Sequence, residues 1–436
     1  MPTGTRPPGF GMAVAQGPSG MNAAPPQSEA QPGRRPFRVL TYSHDSFGLG
    51  HLRRSVTLAS AMVAQGPHVH VLCLTGSPVP DLFPLPERCD LVKLPSLGKS
   101  QAGDYVARRL PLAIGELTTL RSDLITATVR SFRPDLLLVD HTATGPGGEL
   151  LPVLRRLRHE HVPTRIVLGL RDVLDSPLRA RAQLERERTF DVLRAHYDHV
   201  LVYGDRTVFD PVREYGFPDD LAERTTFTGP VVPPSARLPR TSRHPDAEPH
   251  VLVTTGGGED GYELLRGCLA ALRGPMRTDR LRATIVAGPM LPEGAFADLQ
   301  RATQDDPRLV LLRCTDAMQQ LLGTADLTVG MGGYNTVYES LARGVPMLAL
   351  PRRQPREEQW ERCRRLASLG RLRTFGDDDL ADPHATAATL RLALQAALTT
   401  PPDPVPCDGA DRAATTCLRL RRTRQSLGTT FARLGS

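Results

Sequence analysis

Short apolar runs alternate along this chain with stretches of helical periodicity. In the first half, the apolar runs at 37–42, 69–74, 135–140, 165–170 and 199–203 end in polar or glycine-rich turns. Amphipathic patterns lie between several of them, at 51–65, 115–132 and 178–196. Because short apolar strands separated by helices are typical of a covered sheet, this pattern predicts a parallel sheet with helices packed on it.

A second alternation of the same kind begins at residue 250. Its predicted strands are 250–254, 283–287, 309–312, 327–329 and 346–350, and its predicted helices are 260–273, 316–322, 334–343, 356–369 and 386–399. The predicted organisation is a disordered segment at 1–36, a Rossmann-like domain at 37–228, a proline-rich linker at 229–249, a second Rossmann-like domain at 250–400, and a tail with a last basic helix at 401–436.

Two glycine clusters, at 47–53 and 329–339, each follow an apolar run and lead into helix-like sequence. Glycine lets a backbone turn sharply and approach a ligand, and the helix start after it offers free N–H groups to anions. Rossmann-like domains bind ligands at the carboxyl ends of their strands, where both clusters lie. We therefore predict a cleft between two lobes, with a phosphorylated ligand on one side and His51 on the other.

Composition narrows the class of protein. A chain of 436 residues with 40% hydrophobic and 23% charged residues fits a two-domain globular protein. Its net charge of +7 comes from scattered arginines without interleaved aromatic residues, so we expect no nucleic-acid partner. No apolar stretch is long enough to span a bilayer. The seven cysteines are scattered and never spaced C-x-x-C, which favours reduced thiols, a cytoplasmic location and no zinc site.

Three motifs resemble cofactor or metal sites, but none of them has the residues or the setting that such a site needs. The first glycine cluster carries Arg53 where a dinucleotide fingerprint requires glycine or alanine, which excludes NAD binding through it. The sequence 98–100 resembles the end of a P-loop, but Lys93 stands where that loop needs its first glycine. The acidic run 377–379 lies in a turn and is interpreted as a solvated loop. We expect neither a cofactor nor a metal ion.

The second glycine cluster carries a family resemblance. Residues 332–346, followed by Pro351 and by Glu358 and Gln359, resemble the donor-binding half of GT-B glycosyltransferases, above all the MurG-like enzyme that makes lipid II. Residues 42–54 and 170–174 look like a bacterial subgroup of predicted glycosyltransferases. The resemblance covers about residues 37–400. It implies an α/β fold of the GT-B class, in which two Rossmann-like domains with parallel sheets face a central cleft.

The resemblance also implies a donor site. Glu339 would hold the nucleotide ribose through two hydroxyls, and Gln359 would help to hold the sugar. Gly332, Gly333, Asn335 and Thr336 would surround the diphosphate at a helix start, with Gly256, Gly257 and Gly258 on a facing loop. Helix dipoles and backbone N–H groups can stabilise the leaving diphosphate without a metal. Two alternatives stay open: the glycines only form turns, and Glu339 forms a surface ion pair with Arg343.

His51 stands where these enzymes place a histidine near the acceptor. The dipole at a helix start disfavours the imidazolium, so a neutral general base is plausible there. The alternative is that His51 only caps or orients its loop. Asp140 and Asp172, at strand ends, are predicted to orient His51, and for each the alternative is a structural role as a turn former or ion-pair partner. The remaining residues predicted on the acceptor side are His44, Gly48, Gly50, Arg53 and Arg171, each of which also has a structural interpretation as a turn former or ion-pair partner.

These observations predict a glycosyltransferase of the hexosyltransferase type. It would move a sugar from a nucleotide-diphosphate donor, a UDP-sugar, to an unidentified hydroxyl acceptor without a metal ion. A lipid acceptor would bring the chain to a membrane surface. Two alternatives remain: a nucleotide-sugar hydrolase, since residues 48–53 also resemble the hydrolases of pseudaminic acid synthesis, and a non-catalytic protein that binds nucleotide sugars.

Overall fold

Two parallel sheets, each covered by helices, carry the architecture of this computed structural model. It describes residues 35–44, 50–99, 105–241, 243–244, 246–376 and 378–432, with only the backbone at 99 and 421–432. The predicted disorder of the N-terminal segment therefore concerns residues that lie almost entirely outside the described part. Both sheets belong to one compact unit, which begins at Pro36.

The first sheet has seven parallel strands, which with their helices form what we call the N-terminal lobe. In sheet order its strands are β3 (Cys89–Lys93), β2 (Val69–Thr75), β1 (Phe37–Ser43), β6 (Leu136–Asp140), β7 (Arg165–Arg171), β8 (His199–Tyr203) and β9 (Thr225–Phe227). A small antiparallel hairpin joins β4 (Leu97–Lys99) to β5 (Tyr105–Ala107). The helices of this lobe are α1 (Gly50–Val63), α2 (Ile114–Phe132), α3 (Leu151–His159), α4 (Pro177–Arg186), α5 (Thr189–His196), α6 (Pro211–Glu214) and α7 (Asp219–Ala222).

The second sheet has six parallel strands and forms the C-terminal lobe with its helices. In sheet order its strands are β12 (Leu309–Leu312), β11 (Arg282–Val286), β10 (His250–Thr254), β13 (Leu327–Met331), β14 (Met347–Leu350) and β15 (Arg373–Thr374). Its helices are α8 (Tyr262–Arg273), α9 (Glu293–Thr303), α10 (Met318–Thr324), α11 (Tyr334–Arg343), α12 (Glu358–Ser368) and α13 (Pro383–Thr399). The last helix, α14 (Gly409–Ala432), returns to pack against α1 of the first lobe.

The strand order of each sheet reverses once in its interior, between β1 and β6 and between β10 and β13. Strands β1, β6 and β10 are buried almost throughout, as expected where helices cover both faces of a parallel sheet. In doubly wound sheets a ligand binds in the crevice where the order reverses. Both glycine clusters follow strands that flank such a crevice, β1 and β13.

The observed elements include the predicted ones, with some shifts of their bounds, but helix α9 and the short strands β4, β5, β9 and β15 were not predicted. The single helix predicted at 178–196 is wrong: it is divided into α4 and α5, because Arg188 adopts a left-handed conformation with φ of 49°. The edge strand β3 escaped prediction because its residues are half-buried or exposed, so the sequence shows no apolar run there. One apolar cluster includes residues of both lobes and of α14, so the domain limits at 228 and 250 stay a prediction.

Candidate functional site

His51 lies in the first turn of α1, beside the carboxyl end of β6. Its Nδ1 is 2.6 Å from Oδ2 of Asp140, the last residue of that strand. Arg54, one turn further along α1, donates to both oxygens of the same carboxylate, from Nε at 2.9 Å and from Nη2 at 2.7 Å. His51 and Asp140 are only 12% and 5% exposed at their side chains, so this three-residue cluster is largely shielded from water.

The charge of Asp140 indicates which ring nitrogen of His51 carries a proton. Burial alone would raise the pKa of Asp140, but the positive charge of Arg54 and the hydrogen bond with His51 hold it well below its usual range. An ionised carboxylate accepts hydrogen bonds only, so in the 2.6 Å contact Nδ1 of His51 carries a proton and donates a hydrogen bond to Asp140. Nη2 of Arg54 also lies 3.0 Å from Nδ1, but its shorter bond, at 2.7 Å, is the one to Asp140. In a neutral imidazole the other nitrogen, Nε2, then keeps a free lone pair. This is the arrangement of a histidine that can act as a general base.

Two further histidines surround His51 and end neighbouring strands of the sheet. His44 follows β1 with its ring centre 4.7 Å from that of His51, and His141 follows β6 with its ring centre at 5.4 Å. Burial, followed by nearby positive charge, lowers the pKa of each well below its usual range, so both are neutral at pH 7. The Nδ1 atoms of both are buried without a hydrogen-bond partner among the described residues.

Asp172 does not orient His51, and this part of the sequence prediction is wrong. Its two carboxylate oxygens accept hydrogen bonds from Nε and Nη2 of Arg362 at 2.7 and 2.8 Å. Tyr338 and the Val173 backbone amide donate to the same carboxylate, each at 2.8 Å. Because Arg362 and Tyr338 belong to the C-terminal lobe, Asp172 instead joins the two lobes.

The second glycine turn brings the start of α11 to the start of α1. A Cβ placed on Gly50 would lie 3.5 Å from Nδ2 of Asn335, so the N-termini of the two helices meet across the cleft. A Cβ on Gly333 would meet nothing within 4 Å, whereas one on Gly332 would lie 2.6 Å from Sγ of Cys363. Gly332 thus has a packing requirement of its own. Thr336, in the same first turn as Asn335, is half-buried.

Glu339 is buried inside the cleft, so the predicted alternative of a surface ion pair with Arg343 is wrong. Its Oε2 accepts hydrogen bonds from Arg53 of the N-terminal lobe at 2.7 Å and from Gln319 at 2.6 Å. Burial raises the pKa of Glu339 although Arg53 and Gln319 act against it. Arg343 instead donates to the Leu238 carbonyl at 3.1 Å. Glu339 therefore faces the N-terminal lobe, where it contacts Arg53 of the first glycine cluster.

The remaining predicted donor residues lie around Arg352. Gln359 accepts a hydrogen bond from the Arg352 amide at 3.2 Å, and the Arg352 side chain donates to Asp260 and Glu358, both at 2.6 Å. Arg352 thereby ties the loop that begins at Gly256, Gly257 and Gly258 to the start of α12. Gly256 is exposed with φ of 69°, and Gly258 packs against Ala287 and Gly288 with φ of 94°. Gly48 lies outside the described residues.

Sequence reasoning missed the arginines that organise this site. Arg54 directly follows the first glycine cluster. It lies three positions after His51, a spacing that places both residues on one face of a helix and could have predicted their contact. Arg362 carries no comparable local signal, since Asp172 lies 190 positions away. Arg352 has one partner six positions on, Glu358, but the other, Asp260, is 92 positions away. Within the described ranges no group of three or more His, Cys, Asp or Glu residues is arranged to hold a metal ion, and no helix is long and apolar enough to cross a membrane.

Comparison of sequences finds two named relatives. Over 322 residues, 70% of this chain, the sequence is 20% identical to an uncharacterized glycosyltransferase of Methanosarcina mazei, of which 77% is covered. Over 150 residues, 34% of this chain, it is 31% identical to the demethyllactenocin mycarosyltransferase of Streptomyces fradiae, of which 29% is covered. No family model matches the chain.

Solved structures resemble most of the chain. The glycotransferase of kitacinnamycin matches with a TM-score of 0.56 at 18% identity, covering 90% of this chain and 99% of that one. MurG of Acinetobacter baumannii matches with 0.53 at 15% identity, covering 88% and 100%. The UDP-GlcNAc 2-epimerase of Neisseria meningitidis, bound to UDP-GlcNAc, matches with 0.54 at 12% identity, covering 88% and 99%. The chain has the GT-B fold, and its named relatives support a glycosyltransferase.

Proposed function

We propose that the chain transfers a sugar from a UDP-sugar to a hydroxyl acceptor, without a metal ion. The observation that carries this proposal is the contact of two helix starts across the cleft, at Gly50 and Asn335, with the His51–Asp140 pair on one side and Glu339 on the other. A base for an acceptor hydroxyl and a site for a nucleotide diphosphate are thereby adjacent.

The donor occupies the C-terminal lobe in this proposal. Glu339 grips the ribose through its two hydroxyls, and Gln359 contacts the sugar. The diphosphate lies at the start of α11, between Gly333 and the loop at Gly256, where free N–H groups and the helix dipole attract negative charge. The structural neighbour that binds UDP-GlcNAc favours UDP as the nucleotide.

The chemistry then needs one proton transfer and one displacement. Nε2 of His51 removes the proton from the acceptor hydroxyl while the hydroxyl oxygen bonds to the anomeric carbon. The bond between that carbon and the phosphate oxygen breaks, and the nucleoside diphosphate leaves with the electron pair. Asp140 balances the imidazolium charge, and the helix start at Gly333 stabilises the charge that develops on the leaving group. Because the MurG-like donor-binding motif, residues 332–346, lies in the C-terminal lobe, the N-terminal lobe selects the acceptor.

Hydrolysis is the rival function, because the His51–Asp140 pair can activate a water molecule in the same way as a hydroxyl. Incubation with UDP-GlcNAc and UDP-glucose, with and without a panel of sugar acceptors, separates the two. A transferase releases UDP in proportion to a compatible acceptor, whereas a hydrolase releases free sugar without one. Chelation by EDTA should leave the rate unchanged, and recovery of a lost rate by Mg²⁺ or Mn²⁺ would contradict the metal-independent mechanism.

Calorimetric titration of UDP tests the donor site directly. Replacing Glu339→Ala should weaken UDP binding by about 10- to 150-fold, since hydrogen bonds to a charged group contribute roughly 1.5 to 3 kcal/mol. Glu263→Ala, an exposed change on α8 of the same lobe, is the matched control and should bind UDP like the wild type. Equal affinities for the wild type and the Glu339 variant would remove this carboxylate from the donor site.

A further inference from the structure

Two arginine side chains near His141 have no direct partner among the described residues. Arg171 is the last residue of β7, and Arg356 precedes α12 in the other lobe. Neither forms a hydrogen bond or an ion pair within the described part of the chain, whereas Arg54, Arg352 and Arg362 in the same cleft all hold carboxylates. Nε of Arg171 is moreover buried without an acceptor there. This part of the cleft therefore carries positive charge that no ion pair among the described residues neutralises.

Burial makes that charge costly. It lowers the pKa of Arg171 to about 10, and Glu358, the main opposing influence, forms its ion pair with Arg352 instead. Arg171 is also the strongest nearby charge that lowers the pKa of His141, and Arg356 contributes in the same direction. Enclosed charges without partners are unfavourable unless a ligand completes them, and such groups cluster at functional sites.

This positive charge lies near His51, the proposed base. His141 and Arg356 line one pocket of the N-terminal lobe, whose wall includes Leu170 and Leu174. The ring of His141 is also 5.4 Å from that of His51, the proposed base. Every lining residue except Arg356 comes from the N-terminal lobe, which is the acceptor side of the proposed reaction.

We infer that Arg171 and Arg356 bind a negatively charged group of the acceptor, a carboxylate or a phosphate, next to His51. This inference rests on the proposed transferase function and adds the chemical class of the acceptor to it. The anion would supply the partner that both guanidinium groups lack, and His44 and His141 can donate or accept hydrogen bonds beside it. Planar guanidinium groups match the geometry of both carboxylates and phosphates.

Anion binding can be measured before the acceptor is known. With the protein saturated with UDP, glucuronate and inorganic phosphate should raise the melting temperature of the wild type more than glucose or an equal ionic strength of sodium chloride does. In the double variant Arg171→Gln/Arg356→Gln the apparent affinity for these anions should fall at least about ten-fold. Arg301→Gln, an exposed change on α9 that also removes a positive charge, should behave like the wild type.

The outcomes are distinct. Because neither arginine has a protein partner, the double variant should unfold at the same temperature as the wild type or higher, so loss of anion binding would not reflect misfolding. An unchanged anion affinity in the double variant, or no anion effect in the wild type, overturns the inference. A weaker affinity of the double variant for UDP overturns it too, by assigning the anion to the donor diphosphate. Failure of the wild type to bind UDP would instead count against the proposed function.

Discussion

Asp140 ends β6 and Asp172 directly follows β7, the neighbouring strand, and both are buried and held by two hydrogen bonds from an arginine. Asp140 takes its arginine from its own lobe, since Arg54 lies on α1 beside His51. Asp172 takes its arginine from the other lobe, and Arg362 also donates to the carbonyl of Gly332 at 2.8 Å. One carboxylate therefore holds His51, the proposed base, whereas the other connects the N-terminal lobe to the second glycine turn.

The difference shows that the arginine partner decides what a buried aspartate does here. Burial is nearly the same for both carboxylates, at 4% exposure for Asp140 and 1% for Asp172. Histidines surround the first, so a proton can move next to it. The second is enclosed by Arg362 and Tyr338, whose pKa values are both raised, so its partners keep their protons across the physiological range.

The largest expected effect lies on the Asp140 side of the comparison. His51→Ala should lower kcat by about two to four orders of magnitude, because the general base is lost, while the Kd for UDP stays nearly unchanged. The measurement is steady-state UDP release together with calorimetric binding of UDP. His51→Asn is the control, because an amide can hold the loop but cannot accept a proton. Near-normal kcat in the Asn variant would show that His51 is structural.

The second-largest expected effect is a loss of folding stability when the carboxylate of Asp172 is removed. Asp172→Ala should lower the free energy of unfolding by about 3 to 5 kcal/mol, because it leaves Arg362 buried without its partner. Removing both charges, as Asp172→Leu with Arg362→Met, should recover much of that loss. Urea denaturation measures both values.

The corresponding double variant at Asp140 is Asp140→Leu with Arg54→Met. It should likewise recover stability relative to Asp140→Ala, but kcat should stay low because His51 has lost its orienting carboxylate. The two double variants are then compared at equal loss of stability. If Asp172→Leu with Arg362→Met lowered kcat as much as Asp140→Leu with Arg54→Met, Asp140 would have no catalytic role that Asp172 lacks.

The smallest expected effect is a dependence of stability on pH to which the histidines on the Asp140 side of this comparison contribute. The pKa values of His44 and His141 are lowered by burial, so the stability linked to their neutral forms is complete above the unfolded value of about 6.5 and is lost as pH falls below it. The loss is at most about 1.4 kcal/mol per histidine for each pH unit. Urea denaturation at pH 7.5 and 5.5 measures it.

The double variant His44→Gln/His141→Gln should reduce this dependence and leave the part that comes from other histidines, whose pKa values burial also lowers. Asp172→Leu with Arg362→Met should retain it in full, because that variant leaves His44 and His141 in place. A wild type whose stability is unchanged between pH 7.5 and 5.5 would show that the two histidines are not held neutral by the fold.

Much of the architecture is written in local sequence. Strands β8, β10 and β12 have the same bounds in the apolar pattern and in the structure, and helix α11 runs from Tyr334 to Arg343 as predicted. Apolar runs specify buried strands because both faces of a parallel sheet are covered. The end of α11 is equally local, since Gly344 adopts the left-handed conformation, with φ of 69°, that closes a helix.

The partners of the functional side chains depend on the tertiary structure alone. The sequence brought His51, Asp140, Asp172 and Glu339 to strand ends and helix starts, but it could not choose between Asp140 and Asp172 as the partner of His51. Arg53 meets Glu339 across 286 positions, and Arg362 meets Asp172 across 190. Contacts this distant in sequence form only when the two lobes pack together, and no local periodicity encodes how two lobes pack. Motifs therefore determined which residues reach the cleft, and lobe packing decided which of them touch.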